Sequence, residues 1–435
     1  MTAKPQRIAV VGSGIGGLVA AWITSRRHHV TLYEAHPALG MDAFAATYES
    51  DGKTYRTDVP MRVFFDAYYP QISRLYKTLG IQSDPINYAA SFTKMYGDLY
   101  FQYRNLNMLG MAVPFLSLPG LLSSESRRIG LDFLKLVRRM TKDLETKDLD
   151  HVTLEEYLAE VGVSRAFCDK FLYPAYAGIC TCSYQSMRQF PASIVIEYLN
   201  SGIVTTNVRR VRYGTKDVVA RFTEHVKELK LSNPVQGVRR REDHVELVEV
   251  DGTLAQYDHV VFATQANQAD KILADQSPAE RAFLKAFHYE SFPVVMHTDT
   301  RLAPRVKAYW SPVNYLLKEG SDAPMATIWL NACHERMGGN TPIFQTWNPL
   351  IDPLDGTVIS QMRFERPRVD HGSLQALKSL DTMMAEPDRR VWFCGSYAHR
   401  GIPLLESGAV SAIRVGKKLG CSLPAGVETE ETLAG

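Results

Sequence analysis

The chain has 435 residues, of which 45% are hydrophobic and 22% charged, with a formal net charge of +2. That length suits two or three globular domains, and the near-balance of charge sets up no field that would draw nucleic acid or an acidic partner. The six cysteines, Cys168, Cys180, Cys182, Cys333, Cys394 and Cys421, are scattered, and Cys180-Thr-Cys182 lacks the two-residue spacer of a zinc or thioredoxin motif. Buried, reduced thiols and no metal site are expected. Met1 to Arg7 runs into the first strand without a leader pattern, which reads as a cytosolic chain.

The first element, Ile8 to Val11, is wholly apolar and is followed at once by glycine, as a central parallel strand buried on both faces would be. Gly12, Gly14 and Gly17 then stand at G-x-G-x-x-G spacing, where the first allows a tight turn, the second a close backbone approach to a pyrophosphate, and the third close packing of helix on strand. The helix that begins at Gly16 aims its positive end at the phosphates. A second strand, "HHVTLYE", ends in Glu34, 22 positions after Gly12, where a carboxylate can accept both hydroxyls of an adenosine ribose. An acid there favours FAD or NAD over NADP.

Asn105 to Leu122, "NLNMLGMAVPFLSLPGLL", is too interrupted by Asn, Gly, Ser and Pro to cross a bilayer. It reads as a buried, proline-broken segment, with a greasy mouth touching a bilayer surface as the alternative. Helices follow over residues 125 to 205: Ser126 to Glu145 has apolar positions at helical spacing, and Thr153 caps "LEEYLAEV". "VRRVR" (Val208 to Arg212) alternates as a half-buried strand would, and Arg239-Arg240-Arg241 reads as a solvated hairpin tip. Neither is interleaved with a stacking platform, so nucleic-acid binding is not expected. Residues 291 to 374 suit strands, Val391 to Cys394 is another apolar strand, and Ser407-Gly408-Ala409 opens a small-residue helix. A strand, Gly395 and a second such helix N-terminus make an anion site suited to the carbonyl edge of a reduced flavin. The tail from Pro424 is acidic and polar and reads as disordered.

These stretches, together with "TDVPMRVFFDAYYPQISRLYKTLGI" (Thr57 to Ile81), "FPASIVIEYL" (Phe190 to Leu199), "YDHVVFATQANQA" (Tyr257 to Ala269) and "FHYESFPVVMHTDTRLAP" (Phe287 to Pro304), resemble the FAD-dependent amine oxidase and phytoene desaturase superfamily over nearly the whole chain. The resemblance implies an α/β fold: a Rossmann-like FAD-binding domain from residues 1–88, 205–290 and 380–435, with an inserted α+β substrate domain from residues 89–204 and 291–379. By the same resemblance Gly12, Gly14, Ile15, Gly16 and Gly17 lie under the FAD pyrophosphate and Glu34, with Ala35, takes the adenosine ribose. Val235 meets the adenine. Gly40, Met41 and Ala263 border the cofactor; Met61 and Arg62 lie along the isoalloxazine; and Gly395, Ser396, Ser407, Gly408 and Ala409 hold the ribityl chain and the pyrimidine edge. The chain departs from the family in having Met41-Asp42-Ala43 after Leu39-Gly40, where an arginine usually follows two glycines, and Ser396 where many relatives place an acid. The resemblance leaves Arg62 or Arg400 to neutralise phosphate.

Flavin held without a covalent link is the expected cofactor. Most amine oxidases of the superfamily place a lysine in the strand matching "ESFPVVMHTD", and no lysine occurs between Lys285 and Lys307. An aromatic cage for an amine would have to come from Tyr315, Trp329, Trp347 and Tyr397. The apolar lining on offer points instead to a desaturase or isomerase of an unsaturated fatty acid or related lipid, with an amine oxidase and a non-catalytic FAD-binding protein as the other readings. Tyr176, His297 and His399 are the candidates for proton transfer, and Arg62 and Arg400 for a substrate carboxylate. No G-x-S-x-G, H-E-x-x-H or repeated C-x-x-C motif is present, so serine-hydrolase and metalloenzyme readings have no carrier. Nothing in the sequence fixes an oligomeric state.

Overall fold

Short and mostly apolar runs become parallel strands, the ones at Arg7–Val11 and Val391–Phe393 leading into Gly12 and Gly395, and the strands of the substrate half form a mostly antiparallel sheet. A computed structural model of the chain describes residues 4–108, 111–334, 336, 339–424 and 426–427. The first sheet has the order Glu228–Lys230, His29–Tyr33, Arg7–Val11, His259–Phe262, Val391–Phe393, with every neighbour parallel. Numbered along the chain, these five strands stand 3-2-1-4-5. The order therefore reverses between Arg7–Val11 and His259–Phe262, and a ligand crevice opens at their carboxyl ends. Ile8, Ala9 and Val10 are fully buried, as a strand covered on both faces requires. The first helix, Ile15–Ser25, packs along the last, Leu405–Lys418: a Cβ on Gly416 would stand 2.6 Å from Ile23, and one on Gly408 2.7 Å from Ile15.

The second sheet has eight strands in the order Val358–Pro367, Tyr289–His297, Phe344–Trp347, Met325–Trp329, Val313–Leu317, Ala90–Lys94, Leu99–Met108, Met111–Leu116. Its neighbours are antiparallel except for Val313–Leu317 with Ala90–Lys94. A helical layer runs from Ser124–Thr146 to Ala192–Asn200. The Thr153 cap forms as a full capping box: Glu156 N–H donates to Thr153 Oγ1 (3.2 Å), and Thr153 N–H donates to the Glu156 carboxylate (2.9 Å). The expected segment boundary at 380 falls inside the helix His371–Met384, and the one at 290 inside the strand Tyr289–His297. Residue 425 and residues 428–435 of the polar tail lie outside the described residues.

Two sequence readings change. Asn105 to Leu122 is not buried: it forms an edge hairpin and the short helix Leu118–Leu122, on which Leu106, Val113, Phe115, Leu118, Leu121 and Leu122 are all exposed. The cause is topological, since Met111–Leu116 is the last strand of its sheet and Pro114 removes a donor from it. Residues 109 and 110 of this stretch lie outside the described residues. The arginine run 239–241 is not merely a solvated tip, because Arg240 pairs with Glu280, a carboxylate 1% exposed that Arg389 also grips at 2.7 Å. Among the described residues no helix is long and apolar enough to cross a membrane.

Candidate active site

The crevice at the reversal point is a cavity of about 490 Å³ bordered by Gly12, Gly14, Ile15, Gly16, Glu34, Ala35, Gly40, Val235, Ala263, Gly395 and Ser396. Gly12 turns the chain at φ +96°, a conformation that a side chain disfavours, and its N–H donates to Tyr33 O at 2.9 Å. A Cβ on Gly17 would stand 1.9 Å from Gly12 O, so the third glycine is what lets the helix start this close to the turn. Gly14 is the N-cap of that helix; no side chain caps it and no acid occupies its first turn. Its leading N–H groups are left for an anion. Glu34 accepts from Ser13 N–H (3.2 Å), Ser13 Oγ and His36 N–H (2.9 Å), while Ser13 Oγ in turn accepts from Gly40 N–H at 2.6 Å. The acid and the residues 39–40 turn are thus fixed to the glycine loop before any ligand arrives.

Where the resemblance would put an arginine, Asp42 accepts from Arg56 and from Thr215 Oγ1, both at 2.8 Å. Lys271 is the one Lys or Arg on the cradle among the described residues, and it is exposed at the rim. Neutralisation of a pyrophosphate falls chiefly to backbone N–H groups and the helix end.

Through Gly14, Ile15, Gly40, Gln265 and Ser396 the cradle continues into a second cavity of about 410 Å³. Met41, Met61 and Arg62 lie on its near side, with Pro403, Leu404 and Leu405 at the uncapped start of the last helix. Tyr69, Tyr88, Tyr198, Tyr315, Trp347 and Phe364 wall the far side. Gln345 fixes the near wall, accepting from Met61 N–H at 2.8 Å and donating to Asp58 O at 2.7 Å. Burial raises all four tyrosine hydroxyls above their ordinary range, so they stand protonated as donors.

Two cations enter this apolar chamber. Arg62 and Arg366 are half-buried on its wall, and neither forms an ion pair with a described carboxylate. Desolvation lowers both below the usual guanidinium value; the charge of Arg62 adds to the lowering at Arg366, while Asp58 partly offsets it at Arg62. Arg366 lies 5.6 Å from the centre of the Trp347 ring.

The remaining sequence candidates do not converge here. His297 is fully buried within its sheet, its Nε2 2.7 Å from Thr346 Oγ1 and its Nδ1 accepting from Asp299 N–H at 3.1 Å; it lines neither cavity. His399 lies beside Tyr397 in a separate small pocket. Tyr176 stands one ring behind the wall, edge-on to Tyr198, with its hydroxyl unpartnered. Arg400 is spent on Glu197 and Asp150, both at 2.7 Å, and is unavailable to phosphate or substrate. Of the four cage aromatics only Tyr315 and Trp347 face the second cavity; Tyr397 borders the cradle, and Trp329 stacks edge-on with Trp310. Gly17, Ser407, Gly408 and Ala409 border neither cavity: the first packs under Gly12 and the others are buried in the last helix, where Gly408 meets Ile15. Ser13, Gln345, Lys271 and Arg366, and the wall residues Tyr69, Tyr88, Tyr198 and Phe364, are among the site residues that the sequence did not single out. Arg366 had a signal, since Met362, Phe364 and Arg366 are the half-buried phase of a strand whose Gln361, Arg363 and Glu365 are exposed, although Glu365 also reaches the cavity lining.

Residues 10–79 match the model of a family described as an NAD(P)-binding Rossmann-like domain. Among solved structures, the chain is similar to the CLA-producing fatty acid isomerase from P. acnes, at 14% identity over 96% of this chain and 99% of that one, with a TM-score of 0.67. Cyclohexylamine oxidase from Brevibacterium oxydans IH-35A matches at 13% identity, 96% and 100% coverage and a TM-score of 0.63. The chain has the amine-oxidase fold. A protein from Exiguobacterium sp. 255-15 assigned as a protoporphyrinogen oxidase also shares that fold, at 16% identity, 96% and 99% coverage and a TM-score of 0.63. No curated protein matches the chain by sequence. The same fold thus carries amine, porphyrinogen and fatty-acid names, and the choice among them rests on the residues of the second cavity.

Proposed function

We propose that the protein is an FAD-dependent oxidoreductase or isomerase that acts on an apolar carboxylic acid, desaturating it or moving a double bond. The observation that carries this reading is the second cavity: largely aromatic and aliphatic walls, continuous with the dinucleotide cradle, with two arginines that form no ion pair with a described carboxylate and one acid, Glu365, on the same lining. FAD suits the cradle, because the uncapped helix start and the fixed Glu34 match a pyrophosphate and a ribose, and the cavity beyond leaves room for a large ring system. Bound there, FAD supplies a two-electron acceptor for a hydride. The link is non-covalent, for Cys394 lines neither cavity and burial pushes its thiol up to about 12.

The chain's own residues then have defined work. Arg62 and Arg366 bind the carboxylate and recover by charge-assisted hydrogen bonds part of what their desolvation costs. Tyr69, Tyr88, Tyr198 and Tyr315 exclude water and confine the hydrocarbon. An ammonium substrate would meet two guanidiniums against the one acid of the same lining, Glu365, and the lysine of amine oxidases has no counterpart in Tyr289–His297.

The test is the visible spectrum of the purified protein under anaerobic conditions as unsaturated fatty acids, then amines, are added. Bleaching by the acid supports the reading; bleaching by amines alone reverses it, and protein that refuses added FAD removes its basis. Arg366→Met is expected to raise the apparent Kd for the acid about 10- to 100-fold, the worth of one charge-assisted hydrogen bond of about 1.5–3 kcal/mol, and to leave the folded protein no less stable. Titration and thermal unfolding of the same variant check both halves.

A further inference from the structure

We propose that the edge hairpin and the two helices that follow it form a docking surface for an anionic lipid bilayer. On the hairpin Leu106, Val113 and Phe115 are exposed. The adjoining short helix exposes Leu118 (72%), Leu121 and Leu122 (78%). The next helix, Ser124–Thr146, adds Leu131 (67%) and Leu134. These pieces form one surface: Gly130 sits over Leu116 of the hairpin, Ser126 Oγ donates to Tyr100 O at 2.6 Å, and Arg127 reaches back to Leu121 O at 2.7 Å. A soluble monomer rarely exposes so many large apolar side chains side by side.

The charge pattern says what covers them. Arg127, Leu131, Leu134, Lys135, Arg138 and Lys142 follow three- and four-residue spacing and share one exposed helix face, with Arg128 at its flank. None of the five basic residues in that set pairs with a described carboxylate. The acids of the same helix are otherwise engaged: Glu125 with Lys170, Asp132 with Ser164 N–H, Asp143 with Arg139. Glu145 is its one exposed acid outside such a contact among the described residues. Arg127 and Lys135 donate to backbone carbonyls, of Leu121 and Gly162, which leaves their charge uncompensated, and leucines framed by such lysines and arginines fit the boundary between acyl chains and anionic headgroups. A two-fold contact with a second copy would set these basic faces against each other. The strand leading into the hairpin also touches the substrate chamber, Tyr103 Oη donating to the carbonyl of Tyr88, which lines it.

The surface argument stands apart from the chemistry proposed above, and its test reads binding alone. The full-length protein is sedimented with vesicles of phosphatidylcholine containing about 30% phosphatidylglycerol, and with vesicles of phosphatidylcholine only. The expected result is binding to the anionic vesicles, about tenfold or more weaker on neutral ones and in about 1 M salt, where charge is screened within about 3 Å. Leu118→Glu with Leu122→Glu, both at exposed positions, should abolish binding with an unchanged circular dichroism spectrum and elution volume. Equal binding by that variant, or no binding to either vesicle, overturns the proposal. So does light scattering that finds a dimer which the same pair of substitutions dissociates, because a second copy is then the occupant.

Discussion

At the scale of single residues, the nucleotide cradle depends on the absence of side-chain atoms. The Gly17 position shows it most sharply: a methyl group would stand 1.9 Å from a backbone oxygen of the turn and 3.2 Å from Ala263, and neither neighbour is a flexible chain end. Gly17→Ala is therefore expected to displace the turn, cost about 1–3 kcal/mol in denaturant unfolding, and yield protein with little or no bound flavin, read from its absorbance ratio. A variant that keeps full flavin occupancy would show that the loop can shift without cost. Glycine spacing is a backbone signal and is legible in sequence, which is why Gly12, Gly14, Ile15, Gly16 and Glu34 all border the cradle. Arg62 came from the family resemblance alone, which set its stretch along the cofactor edge, and it lines the second cavity. Arg366 and Gln345 arrive from a different sheet, more than 280 residues along the chain from the loop they face, and no local pattern announces such a meeting. His297 misled because histidine has one letter for two roles; here its ring accepts from a backbone N–H and meets a threonine hydroxyl.

Elements were legible where a cap or a period marked them. The helix Leu154–Val161 forms behind Thr153 with Glu156 answering from the third position, and Gly162 ends it in the left-handed region at φ +73°. Thr153→Ala removes the cap acceptor and leaves Glu156 N–H without it. A loss of about 1 kcal/mol is expected in urea unfolding, with flavin content unchanged because the box lines neither cavity. An effect below about 0.3 kcal/mol would mean that packing of Leu154, Tyr157 and Leu158, all buried, carries the helix without its cap. The hairpin after Asn105 departs from its expected burial for the opposite reason. Apolar content predicts burial only if another layer exists to cover it, and whether a strand ends a sheet is a property of topology that its own residues do not encode.

For the whole molecule, the 3-2-1-4-5 order gathers strands from residues 7–33, 228–262 and 391–393 around one crevice, so the site's integrity is a global property of the chain. The Rossmann-like half was readable from its first strand, glycine turn and second strand, but the pairing of Val313–Leu317 with Ala90–Lys94 across 223 positions was not. Global stability should also carry a pH signature. Burial lowers His259, His297 and His399 to about 4 from 6.5 and lowers His28 as well. Between those values the unfolded chain holds protons that the folded chain refuses, so stability is fully present above about pH 6.5 and falls as pH drops towards 4, by about 1.4 kcal/mol per unit for each such histidine. Asp299 does not contribute in that window: its carboxyl, held at about 2 by Arg301 and backbone N–H groups against burial, withdraws its stabilisation only as pH falls below 3.8. Urea unfolding of the FAD-loaded protein across about pH 7.5 to 4.5 should therefore slope downward well before carboxylates titrate. His297→Gln, able to keep a bond to Thr346, should flatten the slope by one proton's worth while lowering stability at neutral pH. An unchanged slope would place His297 outside the neutral, buried state that its contacts with Thr346 and Asp299 describe.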